Sequence, residues 1–119
     1  MTAMTAPTGS TKTPRLQIDD TLGRRVVVID RPLFRIGRRS ESDVRPISVD
    51  VSREHAEIVR QEDGTFLLRD HHSRYGTFVN EEQVTERPLV HRDRIRLGRS
   101  GNAELTFLLD DATDLMLSD

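Results

Sequence analysis

The chain has 119 residues, a net charge of −2 and no cysteine. That length suits one domain with one core, and without thiols neither a disulfide framework nor a thiolate metal site is available. No apolar run approaches the roughly 20 residues of a membrane-spanning helix, no secretory-type start is present, and the basic excess of a general nucleic-acid binder is missing. The expectation is a soluble cytoplasmic protein without cofactor or metal.

Residues 1–14 are rich in Thr, Ala and Pro, lack apolar periodicity, and read as a flexible leader. Short β-rich segments follow: Leu16–Asp19, Arg25–Ile29 and Leu33–Ile36, separated by turn-forming residues. Ala56–Arg60 and Thr65–Arg69 flank Glu62-Asp63-Gly64, a tight-turn signal that predicts a hairpin. Phe78-Val79, Pro88–Val90, Ile95–Leu97 and Leu105–Leu109 complete the set. No window of a dozen residues carries the 3.6-residue apolar period of a helix. Many short strands with frequent turns predict an all-β, two-sheet sandwich. Its expected core is Ile58, Phe66, Leu68, Ile95, Leu97, Leu105 and Phe107. Residues 110–119 hold Asp110, Asp111, Asp114 and Asp119 without a base and read as an acidic C-terminal linker. Lys12 is the only lysine, and every other cation is arginine. An anion site here would therefore use the forked guanidinium, which grips two oxygens at once.

Three segments at strand ends carry residues that a plain sandwich does not require. They are Ile36-Gly37-Arg38-Arg39-Ser40, Ser52-Arg53-Glu54-His55-Ala56, and the run Asp70-His71-His72-Ser73-Arg74-Tyr75-Gly76-Thr77-Phe78-Val79-Asn80. Strand ends of a sandwich gather at its two poles, so three such loops can meet in one patch. The pattern Gly-Arg, then Ser-Arg-x-His, then Ser-x-x-Gly-Thr-x-x-Asn resembles the signature of forkhead-associated (FHA) domains. All three blocks occur in the family's order, and the resemblance covers roughly residues 15–109.

The resemblance implies a two-sheet sandwich of about ten or eleven strands. It implies a phosphothreonine-dependent protein-interaction module, with a phosphorylated protein as partner and a Ser/Thr kinase upstream. It assigns phosphate contacts to Arg38, Ser52 and Arg74, and peptide contacts to Arg53 and Tyr75. Gly37, His55, Gly76, Thr77 and Asn80 match positions that shape or brace the loops. The chemistry is self-consistent: a phosphothreonine carries about −1.5 to −2 charge and three strong acceptors, which call for a fixed cation and neutral donors. Two positions depart from the family pattern. Tyr75 stands where asparagine is usual, which bears on peptide-backbone recognition and leaves a degenerate, phosphate-independent docking module as the alternative. Glu81 stands where glycine is frequent and predicts a different turn. Asp50 is a candidate for favouring a basic residue beside the phosphothreonine.

Other readings are weaker. Ser52 with His55 lacks an orienting acid and an oxyanion site, so catalysis is not expected. His71-His72 lacks a third metal ligand at suitable spacing. Stacking aromatics and a basic stripe for nucleic acid are missing. Thr11 and Thr13 would let the domain bind its own leader if phosphorylated, but a plain leader is the simpler expectation.

Overall fold

The computed structural model describes residues 13–109; the readings made for residues 1–12 and 110–119, Thr11 among them, lie outside the described residues. Among the described residues there are ten strands and no helix: β1 (Arg15–Asp20), β2 (Gly23–Val28), β3 (Leu33–Ile36), β4 (Ala56–Arg60), β5 (Phe66–Asp70), β6 (Thr77–Val79), β7 (Glu82–Val84), β8 (Glu86–Leu89), β9 (Arg94–Leu97) and β10 (Glu104–Leu108). They form a six-stranded sheet in the order β2-β1-β10-β9-β6-β7 and a four-stranded sheet in the order β3-β4-β5-β8. Every strand pairing is antiparallel. The expected all-β two-sheet architecture is the one observed.

Side chains alternate across a strand, so a run with every second residue apolar presents one face to a core. Leu16 and Ile18 in β1, Ile58 in β4, Leu68 in β5, Ile95 and Leu97 in β9, and Leu105 and Phe107 in β10 are fully buried. Register keeps these faces together: Leu16 lies opposite Phe107, Ile18 and Ile95 each lie opposite Leu105, and Ile58 lies opposite Leu68. Phe66 and Phe107 join the two sheets with ring centroids 5.5 Å apart. All seven expected core residues are buried, and Leu16, Ile18, Phe34, Ile36, Val51 and Val79 join them.

Two strands differ from expectation. Strand β7 has no apolar alternation, because it is a polar edge strand whose Glu82 and Gln83 are exposed. Strand β8 begins at Glu86 and tolerates Pro88 because it too is an edge, where a missing N–H costs no ladder bond.

The turn at Glu81 also corrects the sequence reading. Pairing of Val79 with Glu82 leaves a two-residue loop, Asn80-Glu81. Both loop residues have positive φ, 49° and 75°. That is the type I′ geometry that an Asn-Gly pair would adopt, because the twist of the flanking strands selects it whatever the second residue is. A non-glycine residue in this region carries a penalty on the order of 1 kcal/mol. The exposed Glu81–Arg96 ion pair offsets little of it. Glu81→Gly should therefore raise the unfolding free energy by about 0.5–1 kcal/mol, read as a higher urea midpoint at unchanged slope.

Candidate functional site

The site begins where β3 stops. Beyond Ile36 the chain runs beside residues 52–53, with Arg38 N donating to Ser52 O at 3.1 Å and Arg39 N to Arg53 O at 3.3 Å. This approach is so close that a Cβ on Gly37 would fall 2.0 Å from Arg53 O. Glycine is required here by space, which is what sets Arg38 beside Ser52.

The Arg38 Nε donates to Val51 O at 2.6 Å. That bond fixes the side-chain stem, and among the described residues no carboxylate pairs with the terminal nitrogens. Arg39, next in sequence, bridges Glu41 and Glu54 and is neutralised. Arg53 and Arg74 are exposed and, like Arg38, have no acidic partner among the described residues. The Arg74 guanidinium lies 5.4 Å from the ring centre of Tyr75, which is 40% exposed.

Ser52 and the third loop meet directly. The Arg74 amide donates to Ser52 Oγ at 3.0 Å, so the hydroxyl oxygen is held while its own hydrogen stays available to an acceptor. Beneath them lies His55, fully buried. Its Nδ1 accepts from Ser52 N at 3.0 Å, and its Nε2 lies 3.0 Å from Gly76 O. These partners define a single neutral tautomer, with the proton on Nε2. Burial holds the imidazole pKa below its ordinary value against the opposing pull of the Gly76 carbonyl. Neither ring nitrogen bonds the Ser52 hydroxyl, so the pair is a brace and not a nucleophile with its base.

The third loop has its own internal frame, which sequence reasoning missed. The Asp70 carboxylate accepts from Ser73 N at 3.2 Å, from Ser73 Oγ and from the buried Thr77 Oγ1 at 2.6 Å. Ser73 Oγ in turn accepts from Gly76 N at 3.1 Å. Burial alone would raise the Asp70 pKa, but these hydrogen bonds together outweigh it and keep the carboxylate below its usual range. Gly76 has φ +92°, and its carbonyl also accepts from Gly98 N at 2.9 Å, tying in the β9–β10 connection. The available signal was an acid followed at three and seven residues by hydroxyls.

One sequence reading needs correction. Asn80 shapes the β6–β7 turn and not the third loop: its amide bonds Asp93 Oδ1 at 2.9 Å and Arg94 N at 3.0 Å. Asp50 anchors the β9–β10 connection, since Oδ2 accepts from Arg99 N at 3.0 Å and Ser100 N at 2.7 Å. His71 pairs with Glu57 at 2.9 Å, and no group of three potential metal ligands occurs among the described residues.

The geometry defines a class: a β-sandwich whose loops at one pole present a hydroxyl over a buried neutral histidine, beside guanidiniums with no acidic partner among the described residues. The FHA domain model matches residues 34–98. The glycogen accumulation regulator GarA of Mycolicibacterium smegmatis is 37% identical over 87 residues, covering 73% of this chain and 52% of that protein. A solved structure described as a structural and functional analysis of phosphothreonine-dependent FHA domain interactions is 34% identical. It covers 82% of this chain and 97% of its own, at a TM-score of 0.72. The FhaA FHA domain, solved in complex with the intracellular domain of Rv3910, is 36% identical, covers 79% and 98%, and has a TM-score of 0.69. The chain belongs to the FHA domain family. It spans about half the length of the curated relatives it matches. Among the described residues no helix is long and apolar enough to cross a membrane.

The brace has a pH signature. A buried histidine with a depressed pKa stays neutral while the unfolded chain takes up its proton, so stability falls as pH drops through the ordinary histidine range. The decline should begin near pH 7 and steepen toward pH 5, with a limiting slope of about 1.4 kcal/mol per pH unit. Asp50 and Asp70, with lowered pKa values, add their losses only at lower pH. Urea unfolding at pH 7.5, 6 and 5 checks this, and a flat profile would show that His55 accepts a proton in place.

Proposed function

We propose that this chain docks onto protein segments bearing a phosphothreonine and carries out no catalysis itself. The observation that carries the reading is the meeting of three loops at the Ser52 hydroxyl, which takes the Arg74 amide, with Arg38 fixed beside it on Val51 O and, like Arg53 and Arg74, without an acidic partner among the described residues. In a protein with more acidic than basic side chains, leaving these cations unpaired favours an anionic ligand. A phosphothreonine supplies about −1.5 to −2 charge and three acceptor oxygens. In this reading Arg38 grips two of them, Ser52 donates to one, and Arg74 adds charge and its loop's backbone. Arg53 and Tyr75 contact the peptide to either side.

Relatives support the reading: one FHA structure is described by phosphothreonine-dependent interactions, another as a complex with a protein's intracellular domain. A Ser/Thr kinase then acts upstream, the setting is cytoplasmic, and nucleic acid and membranes are not partners. The reading without turnover is supported by His55, whose two ring nitrogens are both engaged by backbone groups. A second reading, phosphate-independent docking, draws on Tyr75 beside Arg74, which presents an aromatic surface where the family usually presents an amide.

Arg38→Ala distinguishes them. A charge-assisted hydrogen bond is worth about 1.5–3 kcal/mol, so the variant should bind phosphothreonine peptides about ten- to hundredfold more weakly. Unphosphorylated peptides should bind neither protein detectably by calorimetry. Equal affinity for modified and unmodified peptide would replace phosphate recognition by the docking reading.

A further inference from the structure

The outer face of the four-stranded sheet, turned away from the core, is used by nothing above. An antiparallel sheet with one solvated face ordinarily turns polar residues outward. Register instead sets an apolar row across all four strands. Leu33 in β3 lies opposite Val59 in β4, Val59 opposite Leu67 in β5, and Leu67 opposite Pro88 in β8. Leu33 and Pro88 are exposed, and Val59 and Leu67 are half-buried. Two residues along the strands, a second row of the same face runs Arg35, Glu57, Arg69, Glu86, again each opposite the next.

The charges of that second row alternate in sign from one edge of the sheet to the other. Arg69 holds Glu57 at 3.6 Å and Glu86 at 3.1 Å, and His71 also pairs with Glu57 at 2.9 Å. At one end Arg35 has no acidic partner among the described residues, and at the other the Glu86 side chain is 55% exposed. Four charges that alternate in this way are their own complement when reversed. A second copy turned about a two-fold axis along the strands presents the row in reverse order. Arg35 then meets Glu86 and Glu57 meets Arg69, each contact occurring twice, as an isologous interface requires. The same turn lays the apolar row on itself, Leu33 against Pro88 and Val59 against Leu67, and keeps the strands aligned as in face-to-face sheet packing.

We propose that two copies of this chain associate through this face, back to back across their four-stranded sheets. A face four strands wide and four or five residues long measures about 20 by 15 Å. That is smaller than a tight interface of roughly 800 Å² per partner, so the dimer is weak and depends on concentration. Because the axis runs along the strands, both poles come to the same end of the dimer, and a partner carrying two phosphothreonines engages both at once. This last consequence rests on the phosphate reading; the dimer itself does not.

Sedimentation equilibrium of the unphosphorylated full chain, from about 10 μM to about 1 mM, reads the association. The wild type is expected to show a monomer–dimer equilibrium in that range. Arg35→Glu and Glu86→Arg each place like charges opposite one another twice per dimer and should weaken it about tenfold or more. Combining the two substitutions restores opposite charges across the interface and should recover the wild-type equilibrium, a rescue that damage to the fold would not give. Leu33→Asp, at an exposed position, should leave the chain monomeric at an unchanged melting temperature, and Arg38→Ala should leave the dimer intact. A chain that stays monomeric at the highest concentration overturns the inference and leaves the phosphate reading standing. So does a dimer that survives Arg35→Glu, or one that the double substitution fails to restore. Association lost in Arg38→Ala would place the contact at the pole and overturn the inference as well. Failure of phosphothreonine peptides to bind, with the dimer and its rescue intact, would overturn the phosphate reading alone.

Discussion

The pole of this sandwich is organised around one buried imidazole. His55 takes the Ser52 amide on one ring nitrogen and gives its proton to the Gly76 carbonyl on the other, while its backbone N–H donates to Ile36 O at 3.0 Å. Three chain segments far apart in sequence are thereby held by one residue. The arrangement needs a ring with one donor and one acceptor, which only the neutral form supplies. Its burial maintains that form, and the loops that depend on it supply the burial.

Around this brace the charges are sorted. Arg39 sits between Glu41 and Glu54, Arg25 grips Asp20 and Arg69 lies between Glu57 and Glu86. Arg38, Arg53 and Arg74, on the pole where the loops meet, are left without acids among the described residues. A backbone bond fixes the stem of Arg38, and the acids nearest the brace, Asp50 and Asp70, are engaged by loop amides and hydroxyls instead of by these arginines. Electrostatic attraction to these arginines is weakened by salt where it is exposed and retained where a ligand excludes water.

Much of this was legible in the sequence. Alternation in β4, β5, β9 and β10 marked Ile58, Leu68, Ile95, Leu97, Leu105 and Phe107 because a half-buried strand writes its face every second residue. Gly37, Arg38, Ser52 and His55 stood out because their types have no use inside a sandwich. The acids that frame the loops did not stand out. Asp20, Asp50, Asp70 and Asp93 resemble any others among the chain's 20 acidic residues, and two of them bond amides 27 and 49 positions away. A single chain gives no sign of which aspartate will find a distant backbone N–H. Strand β7 was hidden for a related reason: as an edge it buries little and carries no pattern.

The arginine-only composition of the described residues has a further consequence. Lysine acetylation switches many binding surfaces by erasing a charge, and this surface has no lysine on which that chemistry can act. Its positive potential is therefore indifferent to the acetylation state of the cell. The same property is useful at the bench, because an amine-reactive dye or resin finds its lysine target only at Lys12, outside the described residues, and leaves every guanidinium of the pole unmodified.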